Sequence, residues 1–201
     1  MFFCFPVFSQ NFSTVTDICG NTYQTVEIGD LEWMRENFRC TKYSDGSDML
    51  INPVNWNQRG EAVSACGEVF LYSFPRSELF GIEGWRVPTE NDFNNLKNAV
   101  NSDQSQLIEG GSSGLDLIYP SRLKSWLDNG NWTCTSSPAS TFMMWIDRQC
   151  SSNGANPLQL KPGYELPEGL NIGECAHMQA GLYIRLVRDK QTATTSEINS
   201  N

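Results

Sequence analysis

Alternating apolar and polar residues predict four β-strands in this chain. In an alternating strand every second side chain points to the same face, so each segment is expected to bury one face. The first candidate ends at Gly29-Asp30, a pair typical of a turn. The four candidates are 22–28, 67–74, 142–148 and 182–186.

One helix is predicted after Thr89. The Thr89 hydroxyl can accept a hydrogen bond from the backbone amide three residues later, and Glu90 and Asp92 place acidic groups in the first turn. Apolar residues then recur at helical spacing at Phe93, Leu96 and Val100.

Long stretches between these elements favour loops. Residues 101–141 and 149–180 are rich in Gly, Ser, Asn and Pro. The pattern therefore predicts a loop-rich α+β domain.

The charge balance argues against anionic partners. Acidic residues outnumber basic ones 23 to 14, for a formal net charge of -9, and no Lys/Arg cluster exceeds a dipeptide. Binding to nucleic acid depends mainly on neutralising phosphates with Lys and Arg. We expect no nucleic-acid partner, no anionic membrane surface and no membrane insertion.

The two ends of the chain differ from its middle. Residues 1–9 form a short apolar run ending in Val7-Phe8-Ser9, similar to the tail of a signal peptide. A buried N-terminal strand is the alternative. Residues 190–201 are polar and lack periodicity, which predicts a disordered tail.

Seven cysteines are present, and none forms a C-x-x-C pair typical of zinc ribbons. If the first nine residues are removed with Cys4, an even number remains, as in a disulfide framework of a secreted protein. Fifteen pairings of six cysteines are possible, and the spacing does not choose among them. The six candidates are Cys19, Cys40, Cys66, Cys134, Cys150 and Cys175.

Six blocks in order resemble the FISUMP family, the Fibrobacter succinogenes major paralogous domain. The most specific is Gly84-Trp85-Arg86-Val87-Pro88-Thr89, similar to the family's "GW-x-VPT". The others are Asp17-Ile18-Cys19-Gly20-Asn21-Thr22-Tyr23-Gln24-Thr25-Val26, Trp33-Met34-Arg35-Glu36-Asn37-Phe38, Thr41-Lys42-Tyr43-Ser44-Asp45-Gly46, Trp132-Thr133-Cys134-Thr135-Ser136-Ser137 and Tyr183-Ile184-Arg185-Leu186-Val187-Arg188-Asp189. The resemblance covers a domain from 17 to 189.

The resemblance implies a C-type lectin-like fold in a mostly exported bacterial family. In that fold the first and last strands pair, and one or two helices flank loop-rich, twisted antiparallel sheets. Many members carry two cysteines at positions that Gly81 and Leu186 occupy here. Their joint absence implies that a bridge of the family has been lost as a unit.

Metal and catalytic motifs are not evident. Sugar-binding C-type lectins resemble one another in Glu-Pro-Asn or Gln-Pro-Asp and Trp-Asn-Asp calcium ligands, which this chain lacks, and the segment 45–48 suits a turn better than an EF-hand loop. His177 is the single histidine, without the ligand spacing of a zinc site. We expect no cofactor, no metal and no enzymatic activity.

The strand 142–148 offers the best candidate for binding. If Phe142, Met144 and Ile146 face the core, the alternate side chains face outward. An exposed tryptophan among polar groups is typical of binding hot spots; the alternative is that this face lies under the loop after Cys150. The candidate binding residues are Met143, Trp145 and Asp147, with Trp132 and Arg148 in neighbouring loops.

These features predict a secreted or cell-surface recognition module that binds a glycan or a protein. The alternative is a structural or adhesive subunit of a surface assembly.

Overall fold

The computed structural model describes residues 12–52, 62–66, 69–73, 80–117, 123–128, 131–136, 142–160, 170–177 and 180–190. The segment 1–9, expected to be a signal-peptide tail, lies outside these residues. So does the expected disordered end 190–201 apart from Lys190, whose amide donates to the Asp30 carbonyl at 3.0 Å. The strands are β1 Phe12–Thr16, β2 Thr22–Ile28, β3 Leu31–Met34, β4 Leu50–Ile51, β5 Ala62–Cys66, β6 Val69–Tyr72, β7 Leu123–Asp128, β8 Asn131–Ser136, β9 Phe142–Ser151, β10 Gly154–Leu160, β11 Leu170–Ile172, β12 Ala176–His177 and β13 Val187–Asp189.

The first sheet joins the beginning of the described chain to its end. Its strand order is β1-β2-β3-β13, and all neighbours are antiparallel. The predicted strand 22–28 is confirmed, because β2 covers the same residues and ends in a turn at Gly29, where φ is +62°. Glycine adopts this left-handed conformation at little cost.

The second sheet carries the longest strand, β9, which pairs with β10. On its other side β10 pairs with β11 and, further along, with β12. The register between β9 and β10 shifts on either side of Ala155. Two smaller sheets, β4-β5-β6 and β7-β8, complete the strands that the structure describes.

The predicted helix is confirmed as α1, Glu90–Ala99, with Thr89 as its N-cap. The Thr89 hydroxyl accepts from the Asp92 amide at 3.2 Å, and the Asp92 carboxylate accepts from the Thr89 amide at 2.7 Å. These reciprocal bonds form a capping box. The apolar stripe Phe93, Leu96 and Val100 is buried.

Two buried clusters form the core. The first contains α1, β2 and one face of β9, including Phe142, Met144 and Ile146. The second contains Tyr23, Phe38, Tyr72, Trp85 and three residues of the closing segment 182–186, namely Leu182, Ile184 and Leu186. Both clusters touch β9, so this strand lies between them.

Three disulfides are formed, and each pairs cysteines that lie next to one another among the six candidates. Cys19 bonds to Cys40 and Cys150 bonds to Cys175, while Cys66–Cys134 joins β5 to β8. The prediction that these six cysteines form three disulfides is confirmed.

Two predictions from the hydrophobic pattern are wrong. Residues 182–186 do not form a regular strand: Leu182 and Tyr183 make isolated bridges, and all five side chains are buried because this segment passes between other elements. The stretches expected to be loops, 101–141 and 149–180, contain five strands, β7, β8, β10, β11 and β12. Backbone pairing in these strands outweighs the turn-forming bias of their polar residues.

The sheets and helix give the α+β architecture that the pattern predicted, with α1 as its α-helix within the described residues. In the same residues, no helix is long and apolar enough to cross a membrane.

Candidate functional site

The predicted binding face of β9 is not uniformly exposed. Trp145, expected to face solvent, is fully buried. Its indole nitrogen donates to the Tyr72 carbonyl at 2.7 Å, and its ring packs in the second cluster with Leu182 and Ile184. The expectation of an exposed Trp145 is wrong, because a second layer covers the face of β9 opposite the first core.

Because Trp145 is buried, the predicted residues on either side of it in β9 do not form a continuous exposed surface. Met143 is half-buried and Asp147 is exposed, but they are four residues apart, about 13 Å along a strand. At Asp147 the strand turns to another partner, since its amide donates to the Pro88 carbonyl at 2.7 Å. Arg148 forms an ion pair with Glu90 at 3.0 Å.

Trp132 was expected in a loop beside this face. The structure places it in β8, opposite Leu127 of β7, in a different sheet from β9. The five predicted residues therefore do not form one continuous site.

A different set of residues shares the exposed end of this face. In the register, Gln159 of β10 lies opposite Met143 of β9 and also opposite Asn171 of β11. Directly opposed residues in antiparallel strands point to the same side, with Cβ atoms about 5 Å apart. All three are half-buried, whereas the next pair on this face, Trp145 and Pro157, is buried. We call Met143, Gln159 and Asn171 the cross-strand row.

The central side chain of the cross-strand row lies over a glycine. A Cβ atom at Gly173 would collide with the amide group of Gln159, coming within 2.5 Å of its Cδ. Gly173 is itself held to β10: its amide donates to the Pro157 carbonyl at 2.7 Å, and its carbonyl accepts from Asn156 at 2.9 Å. The missing side chain at Gly173 thus leaves room for the Gln159 amide.

Polar side chains of the family motifs are engaged inside the protein. Arg185, fully buried, donates from its three nitrogens to Asn37, Leu115 and Asp116. Burial lowers the pKa of Arg185 to about 9. Arg35 donates to the Gly114 carbonyl at 2.6 Å and pairs with Asp116. These two arginines attach the segment 114–116 to the first sheet and the closing segment.

Side chains of the first family motif, which begins at Asp17, stabilise the turn between β1 and β2. The Asp17 carboxylate accepts from the Asn21 amide at 2.9 Å and from the Tyr23 hydroxyl at 2.5 Å. Burial raises the pKa of the Tyr23 phenol well above its usual value, and the hydrogen bond to Asp17 adds to this. The Tyr23 oxygen also accepts from the Arg39 amide at 3.0 Å, so Asp17 and Tyr23 link β1, β2 and the segment after β3.

The motif around Trp85 supports the start of α1. Arg86 forms two hydrogen bonds to the Asp92 carboxylate, one of them at 3.0 Å. Burial alone would raise the pKa of Asp92, but bonds from Arg86 and Thr89 outweigh it and lower that pKa. The same bond from the guanidinium to Asp92 raises the pKa of Arg86. Asp92 is therefore a structural carboxylate, ionised at neutral pH.

Potential metal ligands come together at one place among the described residues. Side-chain atoms of Asp17, Cys19 and Cys40 lie within 4.8 Å of one another. The two sulfurs are joined in a disulfide, and only a thiolate ligates a metal. His177 lies in β12, opposite Gly154.

The sequence patterns missed Gln159 and Asn171 because residues 149–180 were assigned to loops. One signal could have corrected this. Asn153-Gly154 follows the predicted strand 142–148, and Asn-Gly is the strongest short-range indication of a hairpin. β10 begins at Gly154, directly after a turn at 152–153.

Comparison with known proteins places the middle of the chain in one family. The family model of the Fibrobacter succinogenes major domain matches residues 26–142. The match includes the blocks around Trp33, Thr41, Trp85 and Trp132, while most of the opening block and the closing block lie outside it. No curated protein and no solved structure matches the chain. The chain thus belongs to the Fibrobacter succinogenes major domain family.

Proposed function

We propose that this protein is an exported, non-catalytic recognition module that binds a glycan or a protein through the cross-strand row. The observation that carries the proposal is the alignment of Met143, Gln159 and Asn171 across three strands, half-exposed at the end of a sheet. The sheet presents them on a rigid backbone, and binding sites on strands are more precise than sites on loops.

The proposed fold is C-type lectin-like. In support, the last strand, β13, returns to the first sheet, where it pairs with β3 rather than with the first described strand, β1. Export is supported by the three disulfides, because such bonds persist in oxidising compartments such as the cell exterior or the periplasm.

Binding without catalysis is supported by the partners of the motif side chains. A catalytic acid or base must reach a reacting group. Asp17, Glu32, Asp92 and Arg185 are instead buried and engaged with neighbouring protein atoms.

The test is a binding screen of the intact chain on glycan arrays and against purified surface proteins, followed by substitutions in the row. We expect Met143→Ala and Gln159→Ala to weaken binding of whatever ligand the screen yields by about fivefold or more. Gln149→Ala is the matched control, because Gln149 is exposed on the same strand as Met143. Unchanged binding by both row variants would contradict the proposal.

A second candidate function is a structural or adhesive subunit that associates through β1. Within the described residues β1 pairs only with β2 and is largely exposed. Edge strands are usually protected by charges or proline. β1 has the sequence Phe-Ser-Thr-Val-Thr, whereas β13 at the opposite edge carries Arg188 and Asp189 and bridges to Arg86. The occupant proposed for the β1 edge is β1 of a second copy, paired antiparallel.

Sedimentation of the intact chain over a range of concentrations tests this alternative. Thr14→Lys at the exposed centre of β1 should reduce self-association, since the two copies would bring like charges together. Asn153→Lys adds the same charge at an exposed turn and should leave association unchanged. A chain that stays monomeric at all concentrations would contradict the alternative.

A further inference from the structure

We infer that the cross-strand row selects neutral glycans over charged ones, and that Gly173 positions the Gln159 amide for this purpose. The inference rests on the proposed function and names its ligand class. It starts from the chemistry of the three side chains, none of which carries a charge.

The side chains of the row match the two kinds of surface that a sugar offers. Gln159 carries an amide, which donates and accepts hydrogen bonds, as sugar hydroxyls do, whereas the side-chain oxygen of Asn171 is buried and Asn171 serves as a flank of the row. Met143 adds a polarizable apolar group that packs against C–H surfaces. Because the row crosses the strands, its side chains repeat at about 4.8 Å, a spacing suited to an extended chain of small polar units.

The charge of the protein disfavours an acidic ligand here. The formal net charge is -9, and no member of the row supplies a cation that could pair with a carboxylate or sulfate. The nearest exposed charge on this face of β9 is Asp147, about 13 Å from Met143 along the strand. Among the residues that the structure describes on this face, a uronic-acid or sulfated glycan would therefore meet repulsion without a compensating ion pair.

Gly173 gives the inference a test that retains every side chain of the row. Gly173 lies outside the left-handed backbone region, so alanine meets no backbone strain there. The new methyl group would nevertheless occupy the space of the Gln159 amide. Gly173→Ala should move that amide without removing it, which makes Gly173 a positioning residue.

The experiment measures binding of the intact chain to two oligosaccharide panels of equal length. One panel is neutral, built from glucose, mannose, galactose and xylose, and the other contains uronic acids. We expect binding only to members of the neutral panel. Gln159→Ala and Gly173→Ala should each weaken it by about fivefold to tenfold, as expected for one lost hydrogen bond, while Gln149→Ala should not.

Several outcomes would overturn the inference. One is a preference for the acidic panel, and another is the absence of binding to either panel. A third is full affinity in both single variants, Gly173→Ala and Gln159→Ala. Loss of a protein partner in the row variants, with no glycan bound, would overturn the ligand class but leave the proposed function standing. Thermal unfolding of each variant, compared with the parent chain, checks that lost binding does not arise from lost folding.

Discussion

At the scale of single residues, Trp145 follows the alternation of β9 and is buried nonetheless. Alternation assigns it to the face opposite Phe142 and Ile146, and that assignment agrees with the register. The opposite face is covered at this point by Tyr72 and the closing segment, which lie far away in sequence. The residues around Trp145 in the sequence therefore could not predict its burial. The burial of Phe142, in contrast, could be predicted from the alternation of β9 alone.

Trp145→Ala is expected to lower the free energy of unfolding by about 3–5 kcal/mol, because a large buried side chain is replaced by a cavity. Trp145→Phe should lower the free energy of unfolding by less, because it keeps an aromatic ring and loses mainly the hydrogen bond to the Tyr72 carbonyl. Urea unfolding at neutral pH measures both. Asp147→Ala, at an exposed position of the same strand, is the control, and a Trp145→Ala variant as stable as this control would contradict the burial.

Asp92→Asn is expected to lower the free energy of unfolding by about 1–3 kcal/mol at pH 7, because the bond from Arg86 loses its charge. The pKa of Asp92 is lower in the folded chain than in the unfolded one, so its contribution is complete above the unfolded value. It is lost as the pH falls through the folded value, so the difference between variant and parent should shrink below about pH 4.

Urea unfolding at a series of pH values provides that measurement. Asp189→Asn is the matched control, since Asp189 contacts the same guanidinium at 3.4 Å but is 83% exposed. Its effect should be small at every pH. A difference for Asp92→Asn that does not change with pH would show that its ionisation is not involved.

At the scale of elements, the sequence predicted those strands and helices whose own residues show a clear hydrophobic pattern or a turn or cap residue. β2 is marked by alternation and a glycine turn, and α1 by a cap at Thr89 and a stripe of apolar residues. β7 and β8 lack such a stripe, and their pairing is revealed mainly by Asn129-Gly130 between them. The cross-strand row could not be predicted, because it requires the registers of three strands at once.

Gly181 is a point where three elements approach closely. Its amide and carbonyl bond to Ser125 of β7, and the next residue, Leu182, bonds to Tyr72 of β6. A Cβ atom at Gly181 would collide with the Ser125 hydroxyl and lie 3.1 Å from the Cβ of Leu71. The segment before β13 can pass between β6 and β7 because this residue has no side chain.

Gly181→Ala is therefore expected to destabilise the protein by about 1–3 kcal/mol through overpacking. Adding Ser125→Gly removes the nearest obstructing atom and should recover part of the loss, giving a favourable coupling in a double-mutant cycle. Thermal and urea unfolding of both single variants and the double variant measure this coupling. Strictly additive effects would contradict a direct collision between the two residues.

At the scale of the whole molecule, the disulfides differ in the length of chain that each closes. Cys19–Cys40 and Cys150–Cys175 span 21 and 25 residues, whereas Cys66–Cys134 spans 68. Closing a longer loop removes more conformational freedom from the unfolded chain. Together the three loops correspond to about 11 kcal/mol in this entropic picture, which is similar to the total stability of about 5–15 kcal/mol of ordinary domains.

Replacing Cys66 and Cys134 by alanine should thus cost about 1 kcal/mol more than replacing Cys150 and Cys175, from loop length alone. Unfolding of the two double variants under non-oxidising conditions compares them, with Cys150 and Cys175 as the matched pair. An equal or smaller cost for the longer loop would show that factors other than chain entropy dominate.

The disulfide between Cys19 and Cys40 also determines how the domain would respond to a mechanical load. Residues 12 and 189 lie at the same end of the first sheet, since Phe12 is opposite Val26 and Asp189 is opposite Leu31. A pull between them would unzip β1 from β2 one pair at a time, which needs little force. The unzipping would stop at Cys19, where the covalent bond to Cys40 carries the tension past β2 and β3. A tethered molecule would lengthen by a few residues on that side, and these two strands would then remain shielded from the load.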